Sequence, residues 1–264
     1  MKKALLTILI LLSGLVSQAQ TKVAAHRGFS GIAPENTLVA FQKAIDIGAD
    51  YFELDVHKTK DDSLVVIHDY DVSRTSSKNW KGKIAEMTYA DLIKVKVGVP
   101  KEFGDKYAEV KIPTLREALA LAKGKIKVCI EVKVYDIEEA VLKTVNDLKV
   151  NDEVIIFSFY YTVLTKFREL DNEIPILFLI SKADEQTIEK ANLIHAAAIG
   201  LGTSTGISKE YLEFAHKNGL EIWQWTVNEE SKMQELVDLG IDGIITNYPD
   251  KALAVRAINM QSKH

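Results

Sequence analysis

Residues 51–69 read Tyr51-Phe52-Glu53-Leu54-Asp55-Val56-His57-Lys58-Thr59-Lys60-Asp61-Asp62-Ser63-Leu64-Val65-Val66-Ile67-His68-Asp69. Two apolar runs, Tyr51 to Val56 and Leu64 to His68, stand on either side of a polar turn, Lys58 to Ser63. A parallel crossover needs about a dozen residues, so the two runs are predicted to form a hairpin. That reading decides the fold, because the chain otherwise holds one strand too many. The other β-rich runs are Val23 to Ala25, Ile126 to Val132, Val154 to Phe159, Ile176 to Ile180, Ala196 to Leu201, Leu220 to Val227 and Gly243 to Thr246. Helical patterns fall between most of them, as at Thr37 to Ile47, Leu115 to Ala122, Ile137 to Leu148, Tyr161 to Leu170 and Glu229 to Leu239. Such alternation implies a parallel sheet with helical crossovers. Setting the hairpin strand aside leaves eight strands, the number of a TIM (β/α)8-type barrel. An open doubly wound sheet is the structural alternative, but the chain has no glycine-rich dinucleotide loop.

The length of 264 residues suits one such barrel, and 47% hydrophobic with 27% charged residues is ordinary globular composition. A net charge of -4 argues against a non-specific nucleic-acid partner. Lys2 and Lys3 precede an apolar run, Ala4 to Val16, shorter than the roughly 20 residues of a membrane span. Ser17-Gln18-Ala19 follows with a small-x-small pattern. Residues 1–19 are therefore expected to be a signal peptide cut after Ala19. The mature chain, 20–264, would be exported to the periplasm or beyond and keep no stable membrane anchor; an uncleaved anchor is the other reading. Cys129 is the only cysteine, which excludes an intrachain disulfide, and its place in an apolar strand marks it as a core residue. Residues 69–111 are richer in Lys, Ser, Asp and Gly. They are expected to form a small insertion on the catalytic side, with one short helix near Tyr89 to Val95.

Alternate side chains of a strand face opposite sides. Glu53 and Asp55 thus share one face, and Phe52, Leu54 and Val56 the other. Inside a barrel, two carboxylates near the strand's end demand a cation, and a hard divalent metal accepts such oxygens. A solvated pair bonded to Lys or Arg is the competing reading. Glu131 and Lys133 repeat the pattern: Glu131 as a third oxygen ligand and Lys133 as a point charge for an anion, or the two as a simple ion pair. His26-Arg27-Gly28 closes the first strand and His68-Asp69 the hairpin, both at the end where such barrels carry their active sites. Two histidines can act as acid and base, and Arg27 offers a fork suited to phosphate; either histidine can equally be structural. Trp225 is either a substrate wall or core. Pro34-Glu35-Asn36-Thr37 reads as a loop and N-cap; Glu35 facing the site is the other reading, but the cap explains the segment. His57, placed beyond its strand, and His195, His216 and His264 read as structural.

Taken together, His26-Arg27-Gly28, Ala33-Pro34-Glu35-Asn36-Thr37, Ala40-Phe41, Glu53-Leu54-Asp55-Val56, Thr59-Lys60-Asp61 and His68-Asp69 resemble the glycerophosphodiester phosphodiesterase family. The resemblance continues through Arg74-Thr75, Ile112-Pro113-Thr114-Leu115, Glu131-Val132-Lys133, Trp225-Thr226-Val227-Asn228 and Asp242 to Pro249. Ser63 stands where that family usually has Gly, and Asn247 where it often has Asp. The resemblance implies a TIM barrel with an insertion after His68-Asp69. It further implies Glu53, Asp55 and Glu131 as ligands of one Ca²⁺ or Mg²⁺, His26 and His68 as the acid–base pair, and Arg27 and Lys133 as phosphate contacts. The implied reaction is hydrolysis of glycerophosphodiesters to glycerol 3-phosphate and an alcohol through a cyclic phosphate, within glycerophospholipid breakdown and the scavenging of phosphate and glycerol. A phosphodiesterase of another substrate class on the same barrel, and a binding protein without chemistry, are the alternatives that fold alone does not separate.

Overall fold

The computed structural model describes residues 20–77, 80–184 and 186–262. The expected signal peptide, 1–19, and His264 lie outside them. Among the described residues nine strands form one sheet: β1 (Lys22–Ala25), β2 (Tyr51–Lys58), β3 (Leu64–Val66), β4 (Lys127–Val132), β5 (Val154–Ser158), β6 (Ile176–Ile180), β7 (Ala198–Gly202), β8 (Glu221–Trp225) and β9 (Gly243–Thr246). Eight are parallel, and β1 pairs with both β9 and β2, which closes the barrel. Only β3 is antiparallel, paired with the last three residues of β2. It uses the edge of β2 that β1 leaves open. The four-residue β1 reaches only Phe52, and beyond it the Asp55 carbonyl accepts from Ile67 N–H while the Val56 carbonyl turns the other way, to Lys133 N–H. The hairpin therefore rises from the rim without breaking the closed ladder.

The period-2 pattern sorts the side chains as expected. Phe52, Leu54 and Val56 face outward into a cluster built with α1 (Leu38–Asp46), α4 (Leu115–Ala122), α5 (Glu138–Leu148) and α6 (Tyr161–Leu170). Phe41 of α1 stacks on Phe52, with ring centroids 4.3 Å apart. The barrel interior is a separate cluster, with Ala24, Cys129, Ile155, Phe157, Leu177, Leu179, Ala198, Trp223 and Ile245. Thr37 caps α1 by accepting from Ala40 N–H, and Thr114 with Glu117 forms a capping box on α4. Gly28 (φ +76) lies so close to α1 that a Cβ would stand 2.6 Å from the Ala40 backbone, so the turn after β1 requires glycine. The remaining helices of the ring are α7 (Thr187–Leu193), α8 (Lys209–Lys217), α9 (Glu230–Leu239) and α10 (Pro249–Ser262). No helix among the described residues is long and apolar enough to cross a membrane.

Residues 69–111 hold more than the one expected helix. Besides α2 (Tyr89–Leu92) they contain α3 (Pro100–Phe103) and two 3-10 turns, Ile84–Glu86 and Gly104–Tyr107. They also have a core of their own: Val72, Ile84, Leu92, Val95 and Val97 pack with Ile112 against Val65 and Ile67 of the hairpin. His57 also departs from its expected position beyond the strand. β2 continues to Lys58, and His57 sits inside it, paired with Val65.

Because Phe52 is fully buried, Phe52→Ala is expected to cost about 3–5 kcal/mol. Urea unfolding followed by circular dichroism checks this; a loss under about 1 kcal/mol would place Phe52 outside the core.

Candidate active site

The eight residues singled out in the sequence meet at the carboxyl ends of the strands. Glu53 and Asp55 come from β2 and Glu131 from β4, with Asp55 and Glu131 in register. His26 and Arg27 follow β1, His68 follows β3, and Lys133 follows β4. A cavity of about 170 Å³ has His26, Arg27, Glu53, His68, Glu131, Lys133 and Trp225 in its wall. Phe157, Phe159, Leu179 and Ile245 complete it on the apolar side. Asp55 is not in the wall; it is 1% exposed and offers its carboxylate beside those of Glu53 and Glu131. A larger hollow of about 570 Å³ opens at the opposite end of the barrel. Its Lys22 and Arg256 are paired with Glu221 and Asp50, and that end of such a barrel serves stability.

The three carboxylates crowd together, each offering an oxygen within 4.8 Å of the others'. Glu53 Oε2 accepts from Arg27 N–H at 2.8 Å. Asp55 Oδ2 accepts from Asn36 Nδ2 at 2.7 Å and stands 3.4 Å from Arg27 Nε. Lys133 Nζ donates to Glu131 Oε1 at 2.7 Å and lies 3.3 Å from Asp55 Oδ1. Glu53 Oε1 and Asp55 Oδ1 remain buried without a hydrogen bond. Burial, then repulsion from the neighbouring carboxylates, pushes both Glu53 and Glu131 upward. Burial pushes Asp55 upward too, but Lys133 and Arg27 outweigh it and hold Asp55 low. Two cations thus do not compensate three acids. The shortfall, the orphaned oxygens and the all-oxygen donor set fit one hard divalent cation.

Each histidine has a polar partner on Nδ1, leaving Nε2 to exchange protons. His26 Nδ1–H donates to Asn247 Oδ1 at 2.6 Å. Burial, then the Arg27 charge, pushes His26 down to about 4, so the ring is neutral at neutral pH. His68 Nδ1 lies 2.7 Å from Asp69 Oδ1. Asp69 in turn accepts from Arg74 Nε at 2.6 Å, and Arg74 forks onto Glu35 at 2.7 and 2.9 Å. Glu35 also accepts from Arg27 at 2.9 Å. A continuous ladder, Arg27–Glu35–Arg74–Asp69–His68, therefore joins the two sides of the cavity. It holds Asp69 at about 2, burial being outweighed by the bonds from Arg74 and His68. Arg27 and Asn36 both adopt left-handed backbone (φ +56 each), a conformation that costs on the order of 1–3 kcal/mol in a non-glycine residue.

Trp225 stands at the edge of the core. It lines the cavity, and it is anchored by Nε1 to the Gly200 carbonyl at 3.1 Å with its ring against Phe159. In the segment read as a loop and N-cap, Thr37 is the cap, while Asn36 bonds Asp55 and Glu35 bonds Arg27 and Arg74. Asn247 was noted only as a departure, yet it is the partner of His26. His57, 2% exposed, bonds through Nε2 to the His68 carbonyl and meets Tyr70 edge to face. It supports the site from outside the cavity wall.

The chain matches known proteins along most of its length. The model of the glycerophosphoryl diester phosphodiesterase family matches residues 26–251. A glycerophosphodiester phosphodiesterase of Bacillus altitudinis is 34% identical over 89% of this chain and 98% of its own length. One from Caldanaerobacter subterraneus is 36% identical over 88% of this chain and 96% of its own. Among solved structures, an Oleispira antarctica phosphodiesterase in complex with the product sn-glycerol-3-phosphate superposes with a TM-score of 0.80 at 27% identity, over 89% of this chain and 96% of that one. The glycerophosphodiester phosphodiesterase of Agrobacterium tumefaciens gives 0.77 at 27% identity, over 89% and 99%. With its TIM barrel and its cluster of buried acids, the chain belongs to the glycerophosphoryl diester phosphodiesterase family.

Proposed function

We propose that this enzyme hydrolyses glycerophosphodiesters to glycerol 3-phosphate and an alcohol with one bound Ca²⁺ or Mg²⁺, using His26 as first base and His68 as first acid. The observation that carries the reading is the undercompensated carboxylate cluster between Arg27 and Lys133, with both histidines in the same cavity wall. Glu53, Asp55 and Glu131 hold the cation. When bound, it draws electron density from the phosphoryl oxygens and offsets the negative charge that builds on them. Arg27 and Lys133 face the same anion. Trp225 walls the glycerol side.

The first step is attack on phosphorus by the substrate's own glycerol 2-hydroxyl. His26 Nε2 takes that proton; neutrality and an Nδ1–H pinned to Asn247 suit it to the task. The bond from phosphorus to the alcohol breaks, and His68 Nε2 gives its proton to the departing oxygen. Asp69 keeps that tautomer and ring orientation. A cyclic glycerol phosphate remains. Water opens it in the second step, with the two histidines exchanging roles. Residues 1–19, read as an export signal, would place this chemistry in the periplasm.

Three outcomes test the reading. His26→Ala and His68→Ala should each lower kcat by about 10²–10⁴-fold while calorimetric Ca²⁺ affinity stays; near-normal glycerol 3-phosphate release from glycerophosphocholine would remove the histidines from the chemistry. EDTA should abolish turnover, Ca²⁺ or Mg²⁺ should restore it, and Glu53→Gln should weaken Ca²⁺ binding; unaltered binding would take Glu53 out of the ligand set. Asn247→Asp places a carboxylate beside His26 and raises its pKa. A base works deprotonated, so the acid limb of kcat/KM, which wild type loses as pH falls toward about 4, should move to higher pH. An unmoved limb would assign it to another group.

A further inference from the structure

Beside the catalytic cavity runs an open groove of about 460 Å³, and the two spaces share His68, Glu131, Lys133 and Phe159. Its far wall is aromatic. Tyr70 and Tyr160 line it, joined hydroxyl to hydroxyl at 3.0 Å, and Tyr135 backs Tyr160 with ring centroids 4.7 Å apart. Phe159 closes the near end against Trp225 at 5.1 Å. Tyr70 is 56%, Tyr135 52% and Phe159 37% exposed, so these rings are open to a ligand although they sit in one cluster. Contiguous exposed rings at the mouth of a site mark a surface that something covers.

The chemistry of the groove narrows the occupant. An alkyl chain needs a continuous aliphatic wall, and among the described residues of the lining the one aliphatic, Val132, packs its side chain into the outer cluster. The charge runs the other way. Asp71 lines the groove, its Oδ1 accepting only from the Ser73 amide and hydroxyl, and no cation pairs with it among the described residues. Lys133, the one Lys or Arg among the described residues of the wall, is already committed to Asp55 and Glu131. Open π faces next to a carboxylate that pairs with no described cation attract a weakly hydrated cation, and an alcohol held there would leave from phosphate beside His68.

We propose that the groove formed by Tyr70, Tyr160, Phe159 and Asp71 is a leaving-group subsite selecting alcohols that carry a quaternary ammonium. The proposal rests on the hydrolase reading above, and the experiment separates the two. On the purified, metal-loaded protein, kcat/KM is measured for glycerophosphocholine and for glycerophosphoglycerol, whose leaving alcohols differ in the onium group. Wild type should favour the choline diester. Tyr70→Leu/Tyr160→Leu should lower that preference about tenfold, and Tyr70→Phe/Tyr160→Phe, which keeps both rings, should preserve it. Tetramethylammonium should inhibit the wild-type enzyme more strongly than uncharged neopentyl alcohol, a readout independent of any variant's folding. Turnover of both diesters without preference, a ratio unmoved in the leucine pair, or equal inhibition by the two probes overturns the subsite and leaves the hydrolase standing. No release from either diester overturns both.

Discussion

Three carboxylates buried within one ligand radius of each other are the constraint on which the remainder of the upper barrel depends. Each would be expensive alone in such surroundings, and beyond burial itself the Asp55 charge pushes both Glu53 and Glu131 upward. The fold answers in layers. Arg27 and Lys133 supply two charges, Asn36 supplies a neutral donor to Asp55, and the oxygens still without partners define where a cation belongs. To deliver these groups the backbone accepts left-handed conformations at Arg27 and Asn36, and a glycine at 28 lets the first turn press against α1. Two of the left-handed non-glycine residues, Arg27 and Asn36, thus stand beside the acids, where local strain serves a charge arrangement.

A second, wetter layer surrounds the first. The ladder from Arg27 to His68 passes through Glu35, Arg74 and Asp69, and Arg74 is about half exposed. Ion pairs with that exposure contribute roughly 0–1 kcal/mol each, so the ladder adds little to stability. Its effect is geometric: it sets the separation between the Arg27 guanidinium on β1's turn and the imidazole on the hairpin, two segments that no barrel strand joins directly. The docked core of residues 69–111 supports the same end, because Val65 and Ile67 lie in it immediately before His68.

The barrel and its acids were legible because a strand's period of two is a local property. Glu53 and Asp55 declare their shared face within one hexapeptide, and the short Lys58 to Ser63 turn declares the hairpin. What the sequence hid is long-range or aperiodic. Asn247 and His26 are partners 221 residues apart. Asn36 sits next to a sound N-cap, and nothing local says that it turns away from the helix to Asp55. The core of 69–111 uses single apolar residues scattered through polar sequence, with no repeat to mark them. Ser63 fits its turn for a reason visible only in the backbone: the left-handed residue there is Asp62 (φ +61), so the neighbouring position needs no glycine.

The hairpin strand occupies a strip of β2 that the short first strand leaves bare, and the segment after it returns to the same place. Thr114 bridges back to Val65, and Val66 N–H donates to the Pro113 carbonyl. Entry and exit therefore lie side by side on a strand outside the closed ring. The segment between them, which carries His68 and Asp69 on its entry side, is thus anchored at one place on the rim, and no strand of the closed ring lies within it.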